Sequence, residues 1–598
     1  MNTRHYLLAA LLLAVAFLGG SSPHIVGDGA EYVAYGLNFA SFRGPSIDPA
    51  NLPALRLEIA EHEQVPATWG LDTSLVRGRD GRGDFAHFWF YPLLATPGLW
   101  VTRACGLHPS YAFAALNLAL LGLALAASLR SVGGAGSTLL FLGPILWWID
   151  KPHTEPFTFA LLIIAFSLLR DRPWWSLVAA GTAAAQNPPI GALIGLIGVA
   201  QILTNHQLWH DRRWWSGVAA GVGLAVLPPL YYLTRYGRLS LLTGATRGTM
   251  PAFAEFVAPV LDTDMGLVAS CPVFALVALA AVVLLARYRW RDLLAGDVQV
   301  AWLAAMVFLA AFSQTTNLRH GGTPGMSRYA LWLIPLAVPL LRRIGGIGLA
   351  AWTPALWAVA VVSAMVSSVA FHPGRAQYAN QPTLLAEYLW TRHPMWNDPL
   401  AEVFQKANLA AAWWLPVATP GCEKILLLGT GAGDGAWPIP CYPARVIESC
   451  QAPNSLCYAN RVDGKYRFIF PPGPRNGGYH LRRGDIWPAS GEAAVRELFN
   501  EWRWREMSLA RKPPAIVREV INVGRFWSWV GPDRYLFVVQ RPAGGASVTF
   551  RLPREMEGRL IDVATGTTIQ TLRSDKTPFA RLSVALPPGS DPLIVAFR

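Results

Sequence analysis

Two carboxylates follow the first apolar stretch of the chain, in the segment Val26-Gly27-Asp28-Gly29-Ala30-Glu31. Glycines flank Asp28, and because they carry no side chain another molecule could approach its carboxylate closely. A carboxylate in such a position could act as a general base, as a metal ligand or as the N-cap of a helix. Glu31 stands three residues later, which is the spacing of a capping box, so helix capping alone would account for both residues.

More ionisable side chains occur in three later segments that border apolar stretches. They are His87 in the first segment, Lys151, His153 and Glu155 in the second, and Arg319, His320 and Arg328 in the third. Carboxylates and several cations on one face of a membrane suit an anionic, lipid-linked substrate. The cations would hold its phosphate, with about 1.5–3 kcal/mol for each charge-assisted hydrogen bond. A carboxylate would take the proton of an attacking hydroxyl.

Each of these side chains also has a purely structural interpretation. Lys151 could be an ordinary interfacial lysine whose stem lies along apolar surface, and His87 could be a hydrogen-bonded interfacial histidine. His153 and Glu155 could simply pair with each other. The arginines could anchor lipid headgroups.

The composition places these residues in a membrane protein. Of 598 residues, 53% are hydrophobic and 15% are charged, and the mean hydropathy is +0.31. Soluble domains carry about 25% charged residues. The net charge is +13. Because the arginines cluster between apolar stretches, this charge indicates loops that face anionic lipid and argues against a nucleic-acid partner.

The apolar stretches predict a polytopic α-helical protein with about eleven spans. We place them near residues 6–23, 111–129, 136–149, 156–169, 174–187, 188–204, 214–234, 267–286, 299–313, 328–341 and 347–371. With the N-terminus in the cytoplasm, every inner loop is basic, as the positive-inside rule requires. The same parity puts the ionisable residues on the outer side of a bacterial plasma membrane. Pro92 and Pro97 interrupt residues 87–105, so we expect a juxtamembrane helix there and not a span.

Residues 1–371 are therefore the predicted transmembrane domain, with an outer loop at 24–110, and residues 372–422 are a helical connector. Residues 423–598 contain short alternating runs between turn signals, which predict an extracytoplasmic β-rich domain of the sandwich type. Four cysteines lie close together, and they are Cys422, Cys441, Cys450 and Cys457. In an oxidising compartment they fit two disulfides, with three pairings open. Zinc is the competing interpretation, but the segment has no C-x-x-C pair.

In layout and short motifs, residues 1–372 resemble the GT-C superfamily of membrane glycosyltransferases. An acidic motif opens a long outer loop after the first helix. A juxtamembrane segment follows with the sequence His87-Phe88-Trp89-Phe90-Tyr91-Pro92, and an H-x-E-P motif opens a later span at His153-Thr154-Glu155-Pro156. Members of this superfamily use polyprenyl-phosphate-linked sugars. They include the protein O-mannosyltransferases and the aminoarabinose transferase of lipid A.

The resemblance implies roles for the candidate residues. Asp28 matches the first-loop aspartate that serves as catalytic base, and the segment from Lys151 to Glu155 matches a second polar position on the outer face. The implied donor is a polyprenyl-phosphate or pyrophosphate sugar, and the acceptor an extracytoplasmic glycan, lipid or protein. Asp28-Gly-Ala-Glu31 differs from a D-x-D or adjacent Asp-Glu motif, so dependence on Mg²⁺ or Mn²⁺ and the role of Glu31 stay open.

The chemistry is coherent without the family. A phosphate leaving group departs as an anion, so one base suffices and in-line displacement predicts inversion at the anomeric carbon, whereas a hydrolase typically needs two opposed carboxylates. A transporter or flippase of lipid-linked glycans is the alternative, and it would carry ionisable residues near the middle of the membrane. The predicted spans are mostly uncharged, which favours an interfacial enzyme. A non-catalytic, glycan-binding membrane protein is the third hypothesis.

Overall fold

The structure is a computed structural model of the full chain. It describes residues 23, 25, 26, 28–61, 75–78, 80–241, 253–315, 318, 326–345, 352–374, 382–408, 417–419, 421–428, 456–463, 465–469, 517–521, 526–530, 535–540, 546–552, 555–562, 567–574, 576, 581–589 and 592–597. The chain forms two compact units. The first comprises residues 1–249, 256–315 and 320–377, and the second comprises residues 250–255, 316–319 and 378–598. The predicted first span, near 6–23, lies outside the described residues.

The described part of the first unit is helical apart from one short antiparallel hairpin. Its α-helices are α1 (Gly29–Ala40), α2 (Leu52–Glu61), α3 (Phe90–Ala104), α4 (Ser110–Phe141), α5 (Thr154–Leu168), α6 (Pro173–Gln186), α7 (Gly191–Thr204), α8 (Arg212–Tyr236), α9 (Phe253–Leu261), α10 (Leu267–Ser270), α11 (Pro272–Leu293), α12 (Gly296–Ser313), α13 (Val338–Gly345) and α14 (Trp352–Ala370). The hairpin pairs β1 (Val76–Arg77) with β2 (Gly83–Asp84). Short 3₁₀ helices cover Pro49–Asn51, Pro144–Trp148, Pro188–Ile190 and His206–His210, and a longer one covers Arg328–Ala337.

Four of the described helices are long and apolar enough to cross a membrane, judged by length and composition. They are α4, α8, α11 and α12. Thr154–Leu168, Pro188–Thr204 and Pro354–Ala370 are shorter apolar helices. The chain is thus a mostly helical protein with several candidate spans, while the count of eleven stays a prediction.

The chain changes direction within helix α4, at a point that lies between the predicted spans near 111–129 and 136–149. Gly133 has φ +72° and ψ −176°, a conformation that glycine adopts without steric cost. The Ser128 and Ser137 hydroxyls then lie 2.9 Å apart. Nine residues of straight helix would separate them by about 13 Å. The chain therefore folds back at Gly133, and its return segment is short, since α4 ends at Phe141.

Two polar side chains fix the start of α3, the helix predicted to be juxtamembrane. Gln186 accepts a hydrogen bond from the Tyr91 amide at 2.8 Å and donates one to the Phe88 carbonyl at 2.7 Å. Asn117 accepts from the Tyr91 hydroxyl at 2.8 Å and donates to the Lys151 carbonyl at 2.9 Å. These bonds satisfy backbone groups at the helix end. They also join the segment before α3 to the segment before α5.

The second unit begins with two helices and continues in strands. It contains α15 (Leu384–Arg392), α16 (Ala401–Asn408), β3 (Val417–Ala418), β4 (Lys424–Leu428), β5 (Leu456–Val462), β6 (Lys465–Ile469), β7 (Val517–Ile521), β8 (Phe526–Val530), β9 (Tyr535–Gln540), β10 (Ala546–Arg551), β11 (Glu557–Asp562), β12 (Thr568–Arg573), β13 (Arg581–Leu586) and β14 (Pro592–Phe597). Three antiparallel sheets have the orders β3-β4-β5-β6, β13-β10-β7 and β12-β11-β14-β9-β8.

The last two sheets share one hydrophobic core, and the sandwich arrangement of the domain stays a prediction. Phe550 of β10 contacts Phe537 of β9 and Phe597 of β14, with ring centroids 4.9 and 5.1 Å apart. All three rings are at most 2% exposed. The sequence predicts strands over Lys424–Leu428, Tyr535–Gln540, Ser547–Leu552, Arg559–Val563, Arg581–Leu586 and Leu593–Phe597. These six runs coincide with β4, β9, β10, β11, β13 and β14 within two residues.

The cysteine cluster is only partly described. Cys422 and Cys457 both take part in disulfide bonds. Cys441 and Cys450 lie outside the described residues. The arrangement of the four cysteines in two disulfides therefore stays a prediction.

Candidate functional site

Four segments of the first unit bring ionisable side chains together around Arg328. They are the N-terminal ends of α1 and α5, the segment before α3, and the start of the 3₁₀ helix Arg328–Ala337. Arg328 Nη1 donates to Asp28 Oδ2 at 2.6 Å and lies 3.2 Å from His153 Nε2. Its Nε lies 3.7 Å from Glu155 Oε1. One guanidinium thus contacts two of the candidate segments.

Asp28 does not serve as a helix cap. It precedes α1 with φ −69° and ψ −2°, which is already a helical conformation, and its side chain makes no capping hydrogen bond. The Asp28 carboxylate faces Arg328 and His87 instead. Glu31 likewise directs its carboxylate to His87. The capping-box alternative is therefore wrong, and both carboxylates belong to the ionic cluster.

His87 bridges the two carboxylates of α1. Its Nδ1 lies 2.8 Å from Glu31 Oε2, and its Nε2 lies 3.4 Å from Asp28 Oδ2. Burial alone would lower the pKa of His87, but the charges of Asp28 and Glu31 raise it to about 9. The imidazole is therefore a cation at neutral pH, with both ring nitrogens donating.

His153 and Glu155 form a second pair at the N-terminus of α5. His153 Nδ1 is hydrogen-bonded to Glu155 and also lies 3.2 Å from the Thr154 amide. A guanidinium can only donate, so His153 Nε2 accepts from Arg328 and the Nδ1 proton points to Glu155. His153 and Glu155 thus pair with each other, as the purely structural interpretation predicts. Both side chains also contact Arg328.

Asp28 is the most accessible member of this cluster. Its side chain is 31% exposed, compared with 18% for His87, 10% for Arg328 and 1% for Glu155. Burial raises the pKa of the Asp28 carboxyl, but the charges of His87 and Arg328 outweigh it and hold the pKa well below its usual range. Asp28 is thus ionised at any physiological pH.

Aromatic rings surround the ionic groups, and the sequence analysis missed them. The Tyr32 ring meets His87 and His153 edge-on, with centroids 5.6 Å apart in both cases. The Arg328 guanidinium lies 5.3 Å from the Tyr329 ring centroid. Tyr32 follows Glu31 in the chain, and Tyr329 follows Arg328. This adjacency to predicted site residues is the sequence feature that could have identified both tyrosines.

Lys151 lies apart from the cluster. Its ammonium is fully buried and donates to the Trp147 carbonyl at 2.6 Å, to Asp150 at 2.7 Å and to the Pro373 carbonyl at 2.9 Å. A lysine has three donors, and all three are used. The predicted phosphate contact of Lys151 is therefore not available in this arrangement. The predicted site residues Arg319 and His320 lie outside the described residues.

The donor set does not fit a divalent metal in this arrangement. Each carboxylate of the cluster faces a cation, Arg328 in the case of Asp28 and Glu155 and protonated His87 in the case of Glu31. Throughout the part of the chain that the structure describes, no three His, Cys, Asp or Glu side chains converge as metal ligands.

Comparisons with known proteins add little to this geometry. The chain matches no protein-family profile and no curated protein. It is similar to the crystal structure of ArnT from Cupriavidus metallidurans in the apo state, with a TM-score of 0.36 and 16% sequence identity. The match covers 61% of this chain and 65% of that one, which is less than two thirds of its length. A likeness of this size does not establish the function.

Proposed function

We propose that this protein is an integral membrane glycosyltransferase of the GT-C type. It would move a sugar from a polyprenyl-phosphate-linked donor to an extracytoplasmic glycan, lipid or protein acceptor. The observation that carries the proposal is the partly exposed Asp28 carboxylate, held between the cations of Arg328 and His87 at the ends of apolar helices. A candidate base thus lies in direct contact with two groups that can bind an anion.

Arg328 and His87 are the groups that would hold the donor phosphate. Arg328 Nε makes no hydrogen bond within the described residues and faces Glu155 Oε1 at 3.7 Å. Each charge-assisted bond to the phosphate would contribute about 1.5–3 kcal/mol. Because these bonds strengthen as the phosphate takes up the charge of the broken bond, they favour the transition state over the ground state.

Asp28 would act as the general base. The acceptor oxygen forms a bond to the anomeric carbon, and the bond from that carbon to the phosphate oxygen breaks, so the phosphate leaves with the electron pair. The acceptor proton goes to Asp28. No acid is required on the leaving side, and the attack inverts the anomeric centre.

The same cations make Asp28 a weak base before the donor binds. Arg328 and His87 stabilise its charged form, and a carboxylate with a depressed pKa accepts protons poorly. A donor phosphate would compete with Asp28 for those two cations. Their transfer to the phosphate would raise the proton affinity of Asp28, so the base becomes effective when the donor is in place.

The placement of charge favours an enzyme over a flippase. A transporter needs ionisable groups along the path through the membrane. Here the cluster lies at the N-terminal ends of α1 and α5, in the segment before α3 and at the start of the 3₁₀ helix Arg328–Ala337.

The test is to incubate the purified full-length protein with a total extract of its own cell envelope, which supplies both lipid-linked donors and acceptors, and to follow polyprenyl-phosphate sugars by mass spectrometry. Wild-type protein should convert them to free polyprenyl phosphate, and Arg328→Ala should not. Arg103→Ala is the matched control, because Arg103 binds Glu58 in a bidentate pair of 2.8 and 2.9 Å outside the cluster. Unchanged lipid-linked sugars with wild-type protein would refute the proposal.

A further inference from the structure

The C-terminal end of α8 contacts the segment that carries His87, and the proposed function gives it no role. Four side chains on one face of that helix take part, and they are Tyr231, Tyr232, Arg235 and Tyr236. Tyr231, Arg235 and Tyr236 donate to the buried Asp84 carboxylate, at 3.1, 3.0 and 2.7 Å respectively. Arg235 also makes a bidentate pair with Asp80.

Tyr232 makes the contact that reaches His87 itself. Its hydroxyl oxygen lies 3.1 Å from the His87 carbonyl oxygen, 3.4 Å from the Phe85 carbonyl and 3.5 Å from the Tyr35 hydroxyl. A tyrosine has one hydroxyl proton, and the shortest distance assigns it to the His87 carbonyl. The Tyr232 side chain is fully buried, so water does not compete for this bond.

The residues on either side of His87 are held by other elements. The Phe85 amide donates to the Tyr35 hydroxyl at 2.7 Å, and the Phe88 carbonyl accepts from Gln186 at 2.7 Å. The backbone of His87 between them depends on Tyr232. A small displacement there would move the imidazole out of hydrogen-bonding range of Glu31.

We propose that Tyr232 is a positioning residue that fixes the backbone of His87 so that its imidazole bridges Asp28 and Glu31. The consequence for phosphate binding rests on the proposed function, but the positioning does not. Its physical signature is electrostatic. The charged groups that face His87 are Asp28 and Glu31 from α1 and Arg328 from the 3₁₀ helix.

Displacement of the imidazole would weaken the attraction of the two carboxylates, because Coulomb energy falls with distance. The pKa of His87 would then fall from about 9 towards 6.5. A raised pKa in the folded state stabilises the fold below pH 6.5, and that contribution is lost as the pH rises through about 9. When the His87 imidazole is correctly positioned, the thermal stability of the protein therefore falls as the pH rises from 6.5 to about 9.

The experiment compares Tyr232→Phe with Tyr236→Phe in the full-length protein. Both remove one hydroxyl from the same helix face, but Tyr236 binds the Asp84 side chain and not the His87 backbone. The thermal midpoint is measured between about pH 6.5 and about pH 9. The midpoint of wild type and of Tyr236→Phe should fall steeply with pH, and that of Tyr232→Phe should fall by less than half as much.

A double-mutant cycle with His87→Gln completes the test. If Tyr232 acts through His87, adding Tyr232→Phe to His87→Gln leaves the pH dependence unchanged. A uniform drop in the Tyr232→Phe midpoint, parallel to wild type at every pH, would overturn the proposal. Should Tyr232→Phe not fold, Tyr232→Met is measured in the same way, since it also lacks the hydroxyl donor, and a profile parallel to wild type there would overturn the proposal. Failure of sugar transfer in wild-type protein would reject the proposed function alone, since these measurements use no substrate.

Discussion

Asp28→Asn should remove most of the transfer activity and leave the protein folded, because it removes a charge with almost no change in volume. Asp28 Oδ2 accepts from Arg328 Nη1 at 2.6 Å, and an amide oxygen can still accept that bond. The amide cannot take a proton from the acceptor. The helix loses no cap, because the Asp28 side chain makes no capping bond.

The expected magnitudes follow from these contacts. General base catalysis contributes about 10²–10⁴-fold, which is about 3–5 kcal/mol of transition-state stabilisation. The loss of folding stability should be smaller, at about 1–3 kcal/mol. Arg328 keeps His153 Nε2 at 3.2 Å and Glu155 Oε1 at 3.7 Å, so the guanidinium is not left without partners.

The assay measures sugar transfer, binding of polyprenyl phosphate and the thermal midpoint on one preparation. Glu58→Gln is the matched control, because it makes the same carboxylate-to-amide change opposite an arginine, Arg103, away from the cluster. The control should transfer sugar at the wild-type rate. Binding of polyprenyl phosphate by Asp28→Asn should be equal or tighter, since Asp28 no longer competes for the cations.

Wild-type turnover by Asp28→Asn would refute the role of Asp28 as base and direct attention to Glu31 or Glu155. Weaker binding of polyprenyl phosphate would refute a different step, the competition between Asp28 and the phosphate. The two results are separable because binding is measured without an acceptor.

Three further predictions concern the cations. Arg328→Lys should lower transfer at least tenfold and lower the thermal midpoint, since one ammonium cannot span the three partners of the guanidinium fork; Arg103→Lys, assayed alongside, should resemble wild type. His87→Gln should flatten the fall of the thermal midpoint between about pH 6.5 and about pH 9, a term of about 3 kcal/mol in the free energy of unfolding, and a wild-type pH profile would contradict it. Lys151→Met should cost about 3–5 kcal/mol by denaturant unfolding, because it strands the Asp150 carboxylate, yet leave transfer per folded molecule unchanged; loss of transfer without loss of stability would return Lys151 to the site.

The elements of the fold follow from local patterns, and the sequence predicted many of them. The break at Asn187-Pro188-Pro189 lies between α6 and α7 because proline cannot continue the hydrogen bonding of α6. Apolar runs between turn residues located strands such as Tyr535–Gln540. The short strand Phe526–Val530 was missed, because Ser528 interrupts its apolar run.

The sequence predicted most of the residues of the candidate site, but it did not predict which of them contact each other. Residue type and position next to apolar stretches selected Asp28, His87 and Arg328. Neither property could show that Arg328 contacts Asp28 across 300 residues of chain, since that contact depends on tertiary packing. Lys151 had the same local signals, yet its side chain turns towards Trp147 and Asp150.

The exclusion of Lys151 clarifies the charge balance of the cluster. Asp28, Glu31 and Glu155 bring three negative charges, and Arg328 and protonated His87 bring two positive ones. A phosphate that enters this cluster therefore meets cations that are already neutralised, and it must displace a carboxylate to bind. Asp28 is the carboxylate with the largest exposed fraction, so it is the one that can leave its cations at the lowest cost in desolvation. Asp28 thus gives up its ion pairs with Arg328 and His87 to the donor phosphate, and the same exchange frees its carboxylate to take the acceptor proton. Binding of the donor and activation of the base are therefore coupled.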